Sequence, residues 1–328
     1  MGHLTRLIAL CFVFHTTVAA QATYLELNDG NRIPTLALGT GRGTAKKDDS
    51  LDLIRQAVYW AIEAGYRHID TATLYGDEEQ VGQGIAEAIR DGLVTRQDLY
   101  ITTKIWNDKH ARDKVVPELN ASLKRLKLDY VDLYLIHFPI STKTDGSPDN
   151  IDYLETWQGM EEAKSLNLTK SIGVSNFNIT QIDRLLANSK IRPAINQFEV
   201  NPTLTQEPLV NHCRNLGIQV MAYSPFGFLV SRKSPDAPPP KYDDPIINDM
   251  ARKYGKTPGQ IVLRYLVDRG LIPIPKSTNK NRIAENIDIF NFQLTSNEVA
   301  TINKFNKNKR VIHPIGWEDY PNYPYERV

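Results

Sequence analysis

From residue 35 onward one pattern recurs eight times along the chain: a short run rich in apolar and β-branched residues, then a longer stretch with apolar residues three and four apart. The short runs fall at residues 35–38, 66–70, 99–104, 131–137, 170–175, 194–200, 219–224 and 271–275. Helical spacing occupies residues 51–62, 78–90, 114–126, 153–167, 179–188 and 206–216, then two stretches before Gly270 and a final one from Asn281. Short strands that alternate with helices form a parallel sheet covered on both faces. Eight such units predict a closed (β/α)8 TIM barrel, and an open doubly wound sheet is the alternative. No composition break marks a second domain in the 328 residues.

Two additions flank the repeat. Ahead of it, residues 24–27 and 33–38 flank Asn28-Asp29-Gly30-Asn31, and Asp-Gly is a strong hairpin turn signal. After Arg310 comes a tail with Trp317, Tyr320, Tyr323 and Tyr325 interleaved with Pro314, Pro321 and Pro324. So many prolines exclude a long helix, and an aromatic tail is suited to cover the barrel mouth.

The N-terminus reads as a secretory signal over residues 1–20, with the barrel domain over 21–328. Arg6 precedes a short apolar core at residues 7–14, and Val18-Ala19-Ala20 supplies small residues for cleavage. The expected location is therefore secreted or in the secretory lumen, or cytoplasmic if this segment is not a working signal. Cleavage would remove Cys11 and leave Cys213 alone, so no disulfide framework is expected. Three glycosylation triplets begin at Asn120, Asn167 and Asn178; they fit a secretory route, although such triplets also arise by chance. Charge excludes one class of partner. With 39 Lys+Arg against 38 Asp+Glu there is no basic surplus for a nucleic acid. Beyond the N-terminus no apolar run is long enough to span a bilayer. No His/Cys cluster has metal-ligand spacing, since the adjacent His212 and Cys213 cannot enclose an ion.

Catalytic groups of such barrels sit at the C-terminal ends of the strands. Asp70 ends the second run, Tyr75 follows in its loop, Lys104 ends the third and His137 ends the fourth. Four ionisable or proton-carrying groups would thus converge at one mouth. Gly82-Gln83-Gly84 imitates the start of a dinucleotide fingerprint, but no strand precedes it, so these glycines read as helix-packing positions.

These residues resemble the signatures of the aldo-keto reductase family. The resemblance is carried by His68-Ile69-Asp70-Thr71-Ala72 with Tyr75, Thr103-Lys104-Ile105-Trp106 and Leu135-Ile136-His137-Phe138-Pro139. It continues through Gly173-Val174-Ser175-Asn176-Phe177, Asn196-Gln197, Tyr223-Ser224-Pro225 and Ile274-Pro275-Lys276-Ser277. It implies an NADPH-dependent oxidoreductase that turns a small-molecule ketone or aldehyde into an alcohol, acting as a monomer. Tyr75 would donate the proton, Lys104 would favour its phenolate, Asp70 would hold Lys104 ionised and His137 would orient the carbonyl. Ser175, Asn176 and Gln197 would bind the nicotinamide carboxamide and Tyr223 would stack on the ring. Lys276, Ser277, Thr278 and Arg282 would take the 2′-phosphate, Glu285 and Asn286 the adenine, and Thr40, Asp70 and Ser224 would complete the cofactor site. Tyr75, Trp106, His137, Phe138 and Trp317 would line the substrate.

Departures from the family pattern bear on the substrate. Gly41 stands where many relatives carry a bulky aromatic, and the loop over residues 42–49 is longer. Phe138 stands where Trp is frequent. A secretion signal on such a chain is similar to the insect 3-dehydroecdysone 3β-reductases, which implies a steroid ketone as substrate. A cofactor-bound sensing protein, or a carrier of a hydrophobic ligand, is the alternative to catalysis.

Overall fold

The computed structural model describes residues 23–41, 51–230, 237–314 and 316–326. The expected signal segment, the loop over residues 42–49 and the first part of the Pro-rich loop lie outside the described residues. A hairpin of β1 (Tyr24–Glu26) and β2 (Arg32–Pro34) comes first, with Leu25 opposite Ile33 across the Asp29-Gly30 turn. Its second arm stops at Pro34, so the barrel's first strand, β3 (Leu38–Gly39), is a separate and shorter element than the run at 35–38 implies. Proline cannot donate a ladder hydrogen bond, which marks the break.

The barrel continues through β4 (His68–Asp70), β5 (Tyr100–Ile105), β6 (Val131–Ile136), β7 (Thr169–Ser175), β8 (Ile195–Glu199), β9 (Gln219–Tyr223) and β10 (Ile272–Ile274). Every neighbouring pair is parallel and follows chain order. Closure comes from Gly39 and Ala37, whose amides donate to the carbonyls of Pro275 (3.0 Å) and Pro273 (3.2 Å). The resulting closed barrel excludes the open doubly wound sheet.

Around it lie α1 (Leu51–Glu63), α2 (Glu78–Arg90), α3 (Arg112–Leu126), α4 (Tyr153–Ser165), α5 (Ile179–Asn188), α6 (Glu207–Asn215), α7 (Pro245–Tyr254), α8 (Pro258–Asp268), α9 (Lys280–Ile287) and α10 (Ser296–Asn303). The final helical stretch is thus two helices. Thr295 and Glu298 form a reciprocal capping box that starts α10, and that Thr-x-x-Glu signature is present in the sequence. Asn120 and Asn167 are exposed, whereas Asn178 caps α5 and its amide donates to the Pro324 carbonyl at 3.1 Å. No helix among the described residues is long and apolar enough to cross a membrane.

Strand side chains alternate between two cores, as a period of two requires. Leu133 and Leu135 point into the barrel with Tyr100, Ile195, Met221, Ile272 and Ile274, and Leu27 and Ile33 of the hairpin region join that cluster. Ile69, Ile101, Ile105, Tyr134 and Ile136 point outward under the helices. By the same alternation Asp70, Lys104, His137 and Gln197 belong to the inward face, at the end of the strands away from the hairpin.

The Gly82 and Gly84 pair serves helix packing. A Cβ at Gly82 would lie 2.3 Å from the Leu126 carbonyl oxygen, and one at Gly84 would lie 2.5 Å from that of Arg55. Backbone cannot yield cheaply, so Gly84→Ala should destabilise the fold by about 1–3 kcal/mol through overpacking. Urea denaturation checks this, with Gln83→Ala in the same helix expected to be near neutral.

Candidate active site

Parallel register sets the centre. Asp70 pairs with Thr102, so Lys104 lies two residues further along β5 on the same inward face. Lys104 has no exposed side-chain surface, and its Nζ donates to Asp70 Oδ1 at 2.7 Å and to the Thr71 carbonyl at 3.0 Å. Its third direction reaches Tyr75 Oη at 3.4 Å. Tyr75 ends a short 3-10 turn (Thr73–Tyr75), which Gly76 closes in the left-handed region at φ 63°. That turn swings the phenol back over the end of β4.

The second Asp70 oxygen accepts from Gln197 Nε2 at 2.8 Å. The ion pair is therefore held from β4, β5 and β8 together. His137 follows β6, with its amide donating to the Ile105 carbonyl. Its ring meets Tyr75 edge-on at 5.7 Å between centroids. The four expected catalytic residues are thus brought to one place.

Aromatic rings form the surrounding wall. Trp106 packs on His137 (5.1 Å), Phe138 stacks on His137 (5.6 Å), and Trp317 of the tail closes on Trp106 (5.9 Å) and Phe138 (5.3 Å). Tyr320 stacks on Trp317, and its hydroxyl donates to the Gly146 carbonyl at 3.0 Å. The tail does cover the mouth. Gly41 lies against the centre: a Cβ there would come within 3.2 Å of the Tyr75 ring.

The residues expected to hold a cofactor line the same mouth. Ser175 pairs with Gln197 across β7 and β8, and Tyr223 ends β9 opposite Glu199. Asn176 follows Ser175 in the left-handed region, at φ 63°, and Ser224 follows Tyr223 likewise, at φ 48°. Asn176 Nδ2 donates to the His137 carbonyl at 2.9 Å and to Ser175 Oγ at 3.1 Å. Thr40 follows β3, where its hydroxyl donates to Asp77 and its amide to the Asp70 carbonyl.

Past β10, Lys276 is bridged to Gly39, Thr278 is partly buried, and Ser277 accepts from the amide of Asn279, the cap of α9. Lys276 and Arg282 are exposed at that helix start, whose partial positive charge suits a phosphate. Glu285 accepts from Thr257 at 2.6 Å and Asn286 is buried beside it. One site residue was read from the sequence only as part of the aromatic tail: Tyr325, whose hydroxyl donates to Asn176 Oδ1 at 2.7 Å. A phenol in the tail was its only signal.

The model of the Aldo/keto reductase family matches residues 35–307. The chain is 72% identical over 307 residues to "Aldo-keto reductase AKR2E4" of Bombyx mori, covering 94% of this chain and 100% of that one. It is 39% identical over 315 residues to "Estradiol 17 beta-dehydrogenase 5" of Mus musculus, covering 92% and 97%. Among solved structures, the Bombyx mori AKR2E4 complex with NADP superposes with a TM-score of 0.91 at 72% identity, covering 93% and 99%. AKR2E5 complexed with NADPH superposes at 0.92 and 45% identity, covering 94% and 95%.

Protonation follows from burial and charge. Burial is the largest influence on the Tyr75 hydroxyl and raises its pKa; Lys104 pulls it down but does not win, and the phenol stays protonated. Lys104 thus favours the phenolate, as expected, and burial adds an opposing and larger influence. Burial also works against the Lys104 ammonium, but Asp70 and Tyr75 together hold its pKa above the ordinary value. His137 is driven well below the usual imidazole range by burial, then by Lys104 and His110.

His68 and His110 are likewise pushed down to about 3, chiefly by burial. All three rings are neutral in the fold near pH 7, while in the unfolded chain they take up protons around pH 6.5. Below that pH the unfolded state binds more protons, so stability is full above it and falls as the pH drops. The loss is up to about 1.4 kcal/mol per pH unit for each ring. Urea midpoints should fall from about pH 6.5 to about pH 5, and His110→Gln should flatten the slope; a constant midpoint would contradict this assignment.

Proposed function

The chain belongs to the aldo/keto reductase family, and on that premise we propose that it reduces the carbonyl of a hydrophobic ketone, a steroid ketone such as a 3-oxo ecdysteroid, with Tyr75 as proton donor. The coarser activity is that of an NADP-dependent oxidoreductase acting on a carbonyl group. The observation that carries the reading is the contact of Lys104 Nζ with both Asp70 (2.7 Å) and Tyr75 (3.4 Å), with His137 beside the same phenol.

A carbonyl oxygen between Tyr75 and His137 meets two hydrogen donors. Neutral His137 can donate one N–H, which orients the oxygen and steadies the charge that grows on it. Tyr75 then gives up its proton. The phenolate left behind lies against Lys104, so the charge cost of that transfer is offset where it arises. Asp70 keeps Lys104 ionised throughout, and Gln197 keeps Asp70 in place. NADPH, when bound, supplies the hydride that reduces the carbonyl carbon. The chain's groups suit such a cofactor. Ser175, Asn176 and Gln197 place amide and hydroxyl groups side by side below Tyr223, and two exposed cations flank the start of α9. Two cations facing a 2′-phosphate favour NADPH over NADH.

Support for a polycyclic substrate comes from the aromatic faces of Trp106, Phe138 and Trp317. Gly41 adds no side chain between the first barrel strand and Tyr75. The mouse relative is named for a steroid alcohol.

The test follows NADPH oxidation by absorbance with a simple aromatic aldehyde, an aliphatic ketone and a 3-oxo ecdysteroid. Tyr75→Phe should lower kcat by about 100-fold or more, the usual worth of a positioned general acid, while NADPH still binds. Turnover that survives the substitution would overturn the role of Tyr75. A kcat/KM that favours the small aldehyde over the ecdysteroid would overturn the substrate class alone.

A further inference from the structure

The tail reaches past the substrate wall and enters the cofactor side of the mouth. Gln181 Nε2 donates to the Asn322 carbonyl at 2.8 Å and Asn178 Nδ2 to that of Pro324 at 3.1 Å. Between them these bonds anchor the tail on the first turn of α5. The Arg310 guanidinium lies over the Tyr325 ring, 4.0 Å from its centroid. So fixed, the Tyr325 hydroxyl donates to Asn176 Oδ1 at 2.7 Å, and the Tyr223 hydroxyl donates to the same oxygen at 2.7 Å.

An amide oxygen has two lone pairs, and two phenols occupy both. The Asn176 amide is thereby set in one orientation. Flipping it would turn its oxygen towards the His137 carbonyl, two acceptors face to face. In the observed orientation one Nδ2 hydrogen goes to the His137 carbonyl and the second to Ser175 Oγ, so that the amide in turn orients the Ser175 hydroxyl. Accepting that bond leaves Ser175 with its own O–H to offer a carboxamide oxygen. The shared oxygen also ties down the Tyr223 ring.

We propose that Tyr325 is a positioning residue for the nicotinamide end of the cofactor: its hydroxyl orients Asn176 and braces Tyr223, making the end of the tail part of the cofactor site. This rests on the carbonyl reductase reading above. It goes beyond it by giving the tail a role in cofactor grip that is separate from covering substrate.

Tyr325→Phe removes one hydroxyl and keeps the ring under Arg310. Affinity for NADPH, read by quenching of protein fluorescence, should fall about fivefold, the worth of one neutral hydrogen bond. Affinity for 2′,5′-ADP, which has the adenine and 2′-phosphate but no nicotinamide, should not change. Tyr320→Phe is the control for general loosening, because it frees the tail from Gly146 and leaves the Tyr325 hydroxyl; it should leave NADPH affinity unaltered. An unchanged NADPH affinity in Tyr325→Phe would overturn the proposal. So would an equal loss for 2′,5′-ADP, or the same loss in Tyr320→Phe. A wild-type chain that does not bind NADPH would overturn the reductase reading and this inference with it, a result separable from a loss confined to the variant.

Discussion

A lysine ammonium with no solvent-exposed surface can enter a barrel interior only if its charge is met there. Lys104 is met by Asp70 on the neighbouring strand, and its remaining donors go to the Thr71 carbonyl and Tyr75. Asp70 in turn is tied to Gln197 from the far side of the mouth. Breaking a buried pair of this kind leaves an uncompensated charge, which typically costs about 3–5 kcal/mol. The register of β4 on β5, the tight 3-10 turn that returns Tyr75 and the closure of the barrel around β8 all have to agree with that one contact. The same contact sets the chemistry, because it puts a permanent positive charge where a phenolate would form.

Much of this was legible in the residue order because two periods coincide. Alternation by two sends Leu133, Leu135 and then His137 to the inside of β6, and Tyr100, Thr102 and Lys104 to the inside of β5. The strand ends place their last inward residues at one mouth. That is why Asp70, Lys104 and His137 could be found together without coordinates. Boundaries were harder. The barrel's first strand has two residues and is defined by pairing to Ile69 and Asp70, a long-range property that no local propensity carries. The α9 and α10 helices merged into one stretch because both are short and the segment between them remains apolar. The capping box at Thr295 was the readable punctuation.

The balance between charge and burial was less legible than position. Sequence places Lys104 beside Tyr75 and so suggests a more acidic phenol. The fold adds what sequence cannot weigh, the loss of water around the same hydroxyl, and that loss is the larger influence. A protonated phenol is also what a proton donor needs before the reaction. Lys104 then matters most after the proton has left, when the negative charge appears. The two influences therefore act at different points of one transfer: burial keeps the acid loaded, and the ion pair receives its conjugate base.

The tail links the two halves of the mouth. Glu199, two residues beyond Gln197 on β8, accepts from the amides of Val311 at 2.7 Å and Ile312 at 2.9 Å. From that hook the chain runs to Trp317 on the substrate wall and ends at Tyr325 against Asn176. Both contacts belong to one short segment, held at Val311 and Ile312 and again at Asn322 and Pro324. The substrate wall and the brace on Asn176 and Tyr223 are thus two parts of one segment, each with its own anchors.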